Sequence, residues 1–253
     1  MKDLEHYFEE LKLKRIPEIY KKEAKIAAEK KLDYTEYLSG LIEKEYQGMI
    51  ERSVNQRIRR AGFPCIKTIE GYDFTHQPQL NEKLIRNLNT LEYLDNAINI
   101  IFVGPPGIGK SHLSIGLGIK ACERRKRVQF YTAQELVDDL AKAKLMGYLG
   151  RELSKLGRID LLVLDELGYM DMTKDSANLF FQLVSKRYER GSIILNTNRP
   201  FEEWGSLFKD NIVATAILDR LLHHSYVFYF TGKSYRLKRH DSKNVGKVGK
   251  DNY

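Results

Sequence analysis

Eight residues, Gly104-Pro105-Pro106-Gly107-Ile108-Gly109-Lys110-Ser111, follow the spacing G-x-x-x-x-G-K-S directly after the apolar run Ile100-Ile101-Phe102-Val103. Glycines at that spacing let the backbone curl until successive N–H groups face one anion. The helix that follows turns the positive end of its dipole toward the same point. Lys110 then reaches the β and γ phosphates, and the Ser111 hydroxyl serves Mg²⁺. We read the stretch Gly104–His112 as the phosphate-contacting segment for a nucleoside triphosphate, ATP or GTP.

A second apolar run, Leu161-Leu162-Val163-Leu164, ends in Asp165-Glu166. A buried strand delivers such acids to the carboxyl edge of a parallel sheet, where ligands bind in this architecture. Asp165 is placed to hold Mg²⁺ through water and Glu166 to orient or deprotonate the attacking water. Ser192-Ile193-Ile194-Leu195-Asn196-Thr197-Asn198 ends in polar groups at the same edge. Asn198 is the candidate to position the water from the far side of the γ-phosphate, with Asn196 as its competitor and a plain turn before Arg199-Pro200 as the alternative. Arg220 stands near the end of the apolar helix 214–222. Supplied to a neighbouring subunit's γ-phosphate, an arginine raises hydrolysis by roughly 10³ to 10⁵; a surface pair with Asp219 is the other reading.

These groups need a scaffold, and the pattern supplies one. Strands are expected at 99–103, 127–131, 160–164, 192–196 and 226–230, alternating with helices at 81–96, 110–125, 133–145, 175–190 and 214–222. That alternation predicts an α/β fold, a parallel sheet covered by helices on both faces. Residues 4–61 read as helical, with Pro17 and Gly40 as interruptions. There Leu38, Leu41, Ile42, Tyr46, Met49 and Ile50 fall on one stripe, expected to pack inside a small helical domain or to dock on the main domain or a partner. Residues 64–80, with Pro64, Gly71 and Pro78, read as an irregular connection.

The 253 residues carry a formal net charge of +8, which suggests a polyanionic partner. Residues 233–253 hold seven Lys/Arg against two Asp/Glu, and further basic groups stand at 57–60 and 124–127. No apolar run approaches the roughly 20 residues of a membrane span, and the polar, acidic start is unlike a secretory signal, so a cytoplasmic protein is expected. Cys65 and Cys122 are too isolated for a disulfide framework or zinc site. His112, His223 and His224 likewise show no metal-ligand spacing and read as packing or surface residues.

The order of the phosphate loop with Ser-His-Leu, Leu-Asp-Glu-Leu-Gly-Tyr, Tyr-Glu-Arg-Gly-Ser, Thr-Asn-Arg-Pro-Phe-Glu-Glu-Trp and Leu-Asp-Arg-Leu-Leu-His-His resembles the IstB transposition helper ATPases over nearly the whole chain. These are AAA+ proteins related to the DnaC-type helicase loaders. The resemblance implies an AAA+ P-loop NTPase core over 81–240, preceded by an all-helical N-terminal domain (1–62) and a linker (63–80), and followed by a basic, disordered tail (241–253). Little chain follows the last strand, so the helical lid is expected to be minimal or absent, with Arg236 the only candidate for the lid's sensor arginine. The resemblance makes Gly104–Ser111 the Walker A loop, Asp165 and Glu166 the Walker B pair, Asn198 sensor 1 and Arg220 the arginine finger. The implied function is ATP hydrolysis with Mg²⁺ as an assembly switch. ATP-bound subunits form a homo-oligomer on duplex DNA without sequence preference and assist a transposase in target selection. A DnaC-like loader of a replicative helicase is the alternative; a small-molecule kinase lacks an apparent acceptor site.

Overall fold

A computed structural model describes residues 4–169, 172–232 and 234–235. The chain divides into two compact units, Met1–Arg57 and Ile58–Tyr253. The first holds α1 (Leu4–Glu10), α2 (Ile16–Lys30) and most of α3 (Tyr34–Ala61), whose last residues belong to the second. Phe8, Ile16 and Leu41 form its small core with Leu13, Ile19, Tyr20 and Tyr37 against them. Glu45 ties the helices together: its carboxylate accepts the backbone N–H groups of Lys14 (3.0 Å), Arg15 (2.6 Å) and Ile16 (2.8 Å), and the Arg52 guanidinium (2.7 Å). Those are the orphan donors that open α2. Burial alone would raise the Glu45 carboxyl, but the donors outweigh it and hold it at about 2.

Two expectations for this region are corrected. Pro17 lies in the first turn of α2, where its missing N–H costs nothing, and the chain instead breaks at 11–15 and at Lys31, which is left-handed (φ +53°). Gly40 sits inside an unbroken α3, whose 28 residues absorb the roughly 1 kcal/mol penalty of one glycine. Of the apolar stripe, only Leu41 is buried; Leu38, Ile42, Tyr46 and Met49 are about half exposed.

In the second unit, residues 63–80 form a strap with one 3₁₀ turn at Phe74–His76. Ile69, Tyr72 and Leu80 bury their side chains in the main core. The expected helix 81–96 is divided into α4 (Glu82–Asn87) and α5 (Glu92–Asp95) by left-handed Leu91 (φ +67°). Asn87, Asn89 and Thr90, weak helix formers that compete for backbone hydrogen bonds, account for the break. Then follow β1 (Asn99–Val103), α6 (Lys110–Glu123), β2 (Val128–Thr132), α7 (Ala133–Leu145), α8 (Leu149–Gly157), β3 (Leu161–Leu167), α9 (Lys174–Arg187), β4 (Ser192–Thr197), α10 (Trp204–Phe208), α11 (Asn211–Leu222) and β5 (Ser225–Tyr229). All neighbouring strands are parallel, in the order β2-β3-β4-β1-β5. β4 thus lies between the strand that feeds the phosphate loop and the strand that carries the two acids.

Period-two alternation sorts the sheet's side chains. Ile100, Phe102, Leu161, Val163 and Phe228 join one core with Leu113 and Leu117 of α6, while Ile101, Val103, Leu162 and Leu164 join the other with Leu136, Leu140, Phe180, Trp204 and Ile217. Each fully buried Leu or Phe contributes roughly 2–3 kcal/mol. Side-chain caps fix the helix starts: Thr132 and Glu135 form a capping box on α7, Thr173 caps α9, and Asp210 accepts the N–H groups of Ile212 and Val213 on α11. At the amino edge the buried Arg187 guanidinium donates to the carbonyls of Leu156 (2.6 Å), Ile159 (2.9 Å) and Ser192 (2.8 Å). Burial lowers Arg187 to about 10, so it keeps its charge at neutral pH. No helix among the described residues is long and apolar enough to cross a membrane, and none forms a lid domain after β5. Arg236 and the tail 241–253 lie outside the described residues.

Candidate nucleotide site

The loop between β1 and α6 is held from two sides. Gly104 (φ +151°) lies so close to the chain after β5 that a Cβ there would stand 2.5 Å from the Phe230 carbonyl oxygen. Gly109 (φ +110°) caps α6, and a Cβ there would stand 2.8 Å from the Tyr72 ring of the strap. Any side chain at either position would push the cradle open or fill it. Phe230 N donates to Val103 O (2.8 Å) and Tyr235 N to Gly107 O (2.9 Å), while the His76 and Tyr235 rings meet edge to face at 4.7 Å. Strap and post-β5 segment therefore clasp the loop between them.

Lys110, largely buried, donates from Nζ to Gly104 O (2.6 Å) and Pro105 O (2.7 Å), so its charge lies inside the curl. Ser111 follows in the first turn of α6. His112 turns to the strap: its Nε2 lies 2.9 Å from Thr68 O and its ring is edge-on to Tyr72. Burial lowers the His112 pKa, with the Thr68 contact opposing.

β3 brings the acids to the same edge. Asp165 is buried, and its Oδ1 accepts Asn196 Nδ2 (3.0 Å) and the Glu166 N–H (2.8 Å), leaving Oδ2 without a hydrogen bond among the described residues. Glu166 has a left-handed backbone (φ +64°) where the β3–β4 register slips between Leu164 and Leu167. Such a bulge re-aims a side chain. Here it leaves Glu166 exposed while Asp165 and Leu167 on either side stay buried.

Asn196 is fully buried; its Nδ2 donates also to Ser114 Oγ (2.6 Å), which in turn donates to Lys110 O (2.8 Å). One amide thus couples the acid strand to the helix behind the phosphate loop. Asn198 lies beyond the end of β4, with its Oδ1 in the space a side chain at 168 would need and without a hydrogen-bond partner among the described residues. In the sequence Asn196 reads only as a competitor of Asn198. The network through Ser114, and the strap and Phe230 clasp, are not legible there; only Asn196 carries a sequence signal, a polar residue in an otherwise apolar strand.

Arg220 is not part of this cluster. α11 descends to β5, whose first residue pairs with the start of β1, and Asn99 Nδ2 donates to Leu221 O (3.0 Å), so Arg220 near the helix end lies toward the amino edge, at the opposite end of β1 from the phosphate loop. Its Nη1 donates to Ala216 O (2.9 Å) and its guanidinium lies 4.9 Å from the Phe181 ring centre. Among the described residues it forms no ion pair with Asp219. Beside it, Asn211, Ile212, Thr215, Ala216 and Asp219 line an open groove of about 530 Å³.

A hydroxyl at 111 and a carboxylate at 165 with a free oxygen are a hard donor set that fits Mg²⁺, and the cradle closed by Gly104 and Gly109 fits a polyphosphate. Sheet order, loop and acid strand define a P-loop NTPase core of the AAA+ type. Known proteins narrow this further. The family model for IstB-like ATP binding proteins matches residues 7–243. An IS21 ATP-binding protein of Pseudomonas aeruginosa is 42% identical over 94% of this chain and 90% of its own length. An IS5376 counterpart in Geobacillus stearothermophilus is 41% identical, covering 94% and 95%. The chain belongs to the IstB-like ATP-binding protein family. Among solved structures, the DnaC helicase loader has a TM-score of 0.54 at 19% identity, covering 65% of this chain and 96% of its own. AMPPCP-bound DnaA from Aquifex aeolicus has a TM-score of 0.57 at 19% identity, covering 76% and 58%. At such identity these two share the fold.

Proposed function

We propose that this protein hydrolyses ATP as an assembly switch: with ATP bound it oligomerises on duplex DNA without sequence preference and helps a partner transposase select and use its target. The observation that carries the reading is the division of parts between the two edges of the sheet. Lys110, Ser111, Asp165 and Glu166 gather at the carboxyl edge, while Arg220 stands toward the amino edge, out of reach of its own loop. A site completed by a neighbour's arginine makes hydrolysis depend on assembly.

In this mechanism the loop N–H groups and Lys110 hold the phosphates of ATP. Ser111 and Asp165 would hold Mg²⁺, which would supply charge neutralisation at the phosphates. Asn196 fixes the Asp165 carboxylate through Oδ1. Glu166, set apart by the bulge, accepts the proton of the attacking water, and Asn198 orients that water. Arg220 of a neighbouring copy stabilises the charge that develops at the γ-phosphate. The exposed Ile212 and the groove along α11 are suited to meeting that neighbour. Basic groups, including the tail, hold phosphates without reading bases.

Relatives named as insertion-sequence ATP-binding proteins, at about twice the identity of the DnaC loader, favour the transposase as partner over a helicase. The test is DNA binding measured with ATP, ADP and no nucleotide across a salt series, followed by pull-down with transposase and with helicase. Binding only with ATP, falling steeply with salt and blind to sequence, and retention of the transposase alone support the reading. Equal binding in all nucleotide states, or retention of the helicase alone, contradicts it.

A further inference from the structure

Two segments of the sequence have no part in the nucleotide chemistry, the turn after α9 and the turn between α11 and β5. The fold brings them together at the amino edge of the sheet. Glu189 Oε1 lies 3.9 Å from His223 Nδ1 and 3.7 Å from His224 Nε2, and one ligand atom from each residue lies within 4.8 Å of the others. The two imidazole rings are 4.1 Å apart between centres. All three residues are exposed, so a cation can reach them from solvent. Histidines that read as isolated surface residues in the sequence thus gain a carboxylate from a residue more than thirty positions away.

We propose that Glu189, His223 and His224 form a binding site for a borderline divalent transition metal, Zn²⁺ in the first place, distinct from the nucleotide site. Two imidazole nitrogens and one carboxylate oxygen are a favoured donor set for zinc, with water completing a tetrahedron, whereas Mg²⁺ selects oxygen donors. Zinc bonds of 2.0–2.1 Å put tetrahedral ligand atoms about 3.4 Å apart. The two nitrogen–oxygen separations therefore need to close by about 0.3–0.5 Å and the nitrogen–nitrogen separation, at most 4.8 Å, by up to about 1.4 Å, which rotation of exposed side chains can supply.

Their backbones are anchored meanwhile: Asn99 N donates to His224 O (2.8 Å) and His223 N to Asp219 O (3.1 Å). The Tyr188 hydroxyl competes at two of the three ligands, lying 2.8 Å from His223 Nδ1 and hydrogen-bonding to the Glu189 carboxylate, and the metal displaces it from both. Metal binding would clamp the end of α11 to the α9–β4 turn, three residues from Arg220.

Calorimetric titration of the untagged full chain with ZnCl₂, without nucleotide, tests this. We expect a site of unit stoichiometry that is weakened at least about tenfold in each of His223→Ala, His224→Ala and Glu189→Gln. His76→Ala, which removes a half-buried histidine paired with a different carboxylate, Asp73 (3.2 Å), leaves it unchanged. Co²⁺ bound in place of zinc should give the intense visible absorption of a tetrahedral centre, absent from the three variants, with circular dichroism confirming that they fold. Wild-type affinity no greater than that of the double variant His223→Ala/His224→Ala, or a Co²⁺ spectrum unchanged by these substitutions, overturns the proposal.

Discussion

Replacing Asn196 by Ala and, separately, by Asp isolates the contact that aims the Asp165 carboxylate. The Ala variant loses a hydrogen bond to a carboxylate at 3.0 Å and one to a hydroxyl at 2.6 Å. At about 1.5–3 kcal/mol and about 1 kcal/mol respectively, the cost is about 3 kcal/mol. The Asp variant keeps the shape but sets a second carboxylate about 3 Å from Asp165, a repulsion of about 5 kcal/mol at an effective dielectric of 20. Binding a proton limits this cost. Relative to an unfolded pKa of about 3.9, holding the introduced carboxyl protonated costs about 4 kcal/mol at pH 7 and about 1.5 kcal/mol at pH 5. The folded variant binds the extra proton, so its stability falls as pH rises. Asp is therefore the worse substitution at pH 7 and the milder one at pH 5. Urea unfolding followed by the fluorescence of Trp204, the single and fully buried tryptophan, reads this directly. An Ala cost below about 1 kcal/mol, or an Asp variant whose rank against Ala does not change between the two pH values, would show that Asn196 does not hold the Asp165 carboxylate.

Glu166→Gln keeps ATP binding and lowers hydrolysis by at least about a hundredfold, because the amide cannot take the proton; a normal rate in steady-state phosphate release counts against Glu166 as base. The Glu45 carboxyl is held at about 2, below its ordinary 4.5, so its stabilisation is complete above about pH 4.5 and fades as pH falls toward 2. Hydrogen exchange should show the start of α2 losing protection over that window and in Glu45→Gln at pH 7, with α7 unaffected; equal protection throughout contradicts the cap. Arg220→Ala keeps ATP binding and loses most hydrolysis, and mixing it with Lys110→Ala subunits restores part of the activity. No recovery in mixed oligomers shown to form rules out action in trans.

What the sequence discloses follows from how local the chemistry is. The phosphate loop and Asp165-Glu166 are contiguous and end apolar strands, so the loop, the acid pair and the parallel sheet are legible from spacing, and all five strands lie within a few residues of their expected places. Asn196 is different, because its meaning depends on β4 being inserted between β1 and β3, an order that no local pattern states. The bulge at Glu166 is equally invisible, since Leu-Asp-Glu-Leu reads as plain strand. Gly147 and Gly150 mask the period of α8, although Leu153 and Leu156 are buried as a helix face requires. The irregular strap hides its purpose for the same reason: Ile69 and Tyr72 have no periodic neighbours, yet they press on α6 and the loop through tertiary contacts alone. In the first unit nothing in the local pattern singles out Glu45, which in the fold anchors a helix start some thirty residues away.

In the proposed switch, occupancy of the loop at Lys110 controls assembly on DNA. The most direct measurement compares wild type with Lys110→Ala in one experiment, recording ATP affinity, hydrolysis and the sedimentation of protein with duplex DNA. Wild type should form DNA-bound oligomers with ATP and disperse as ATP is consumed, while Lys110→Ala should lose productive ATP contact, hydrolysis and assembly together. Wild-type nucleotide affinity and rate in Lys110→Ala, or undiminished assembly on DNA by a variant that no longer binds ATP, would contradict it.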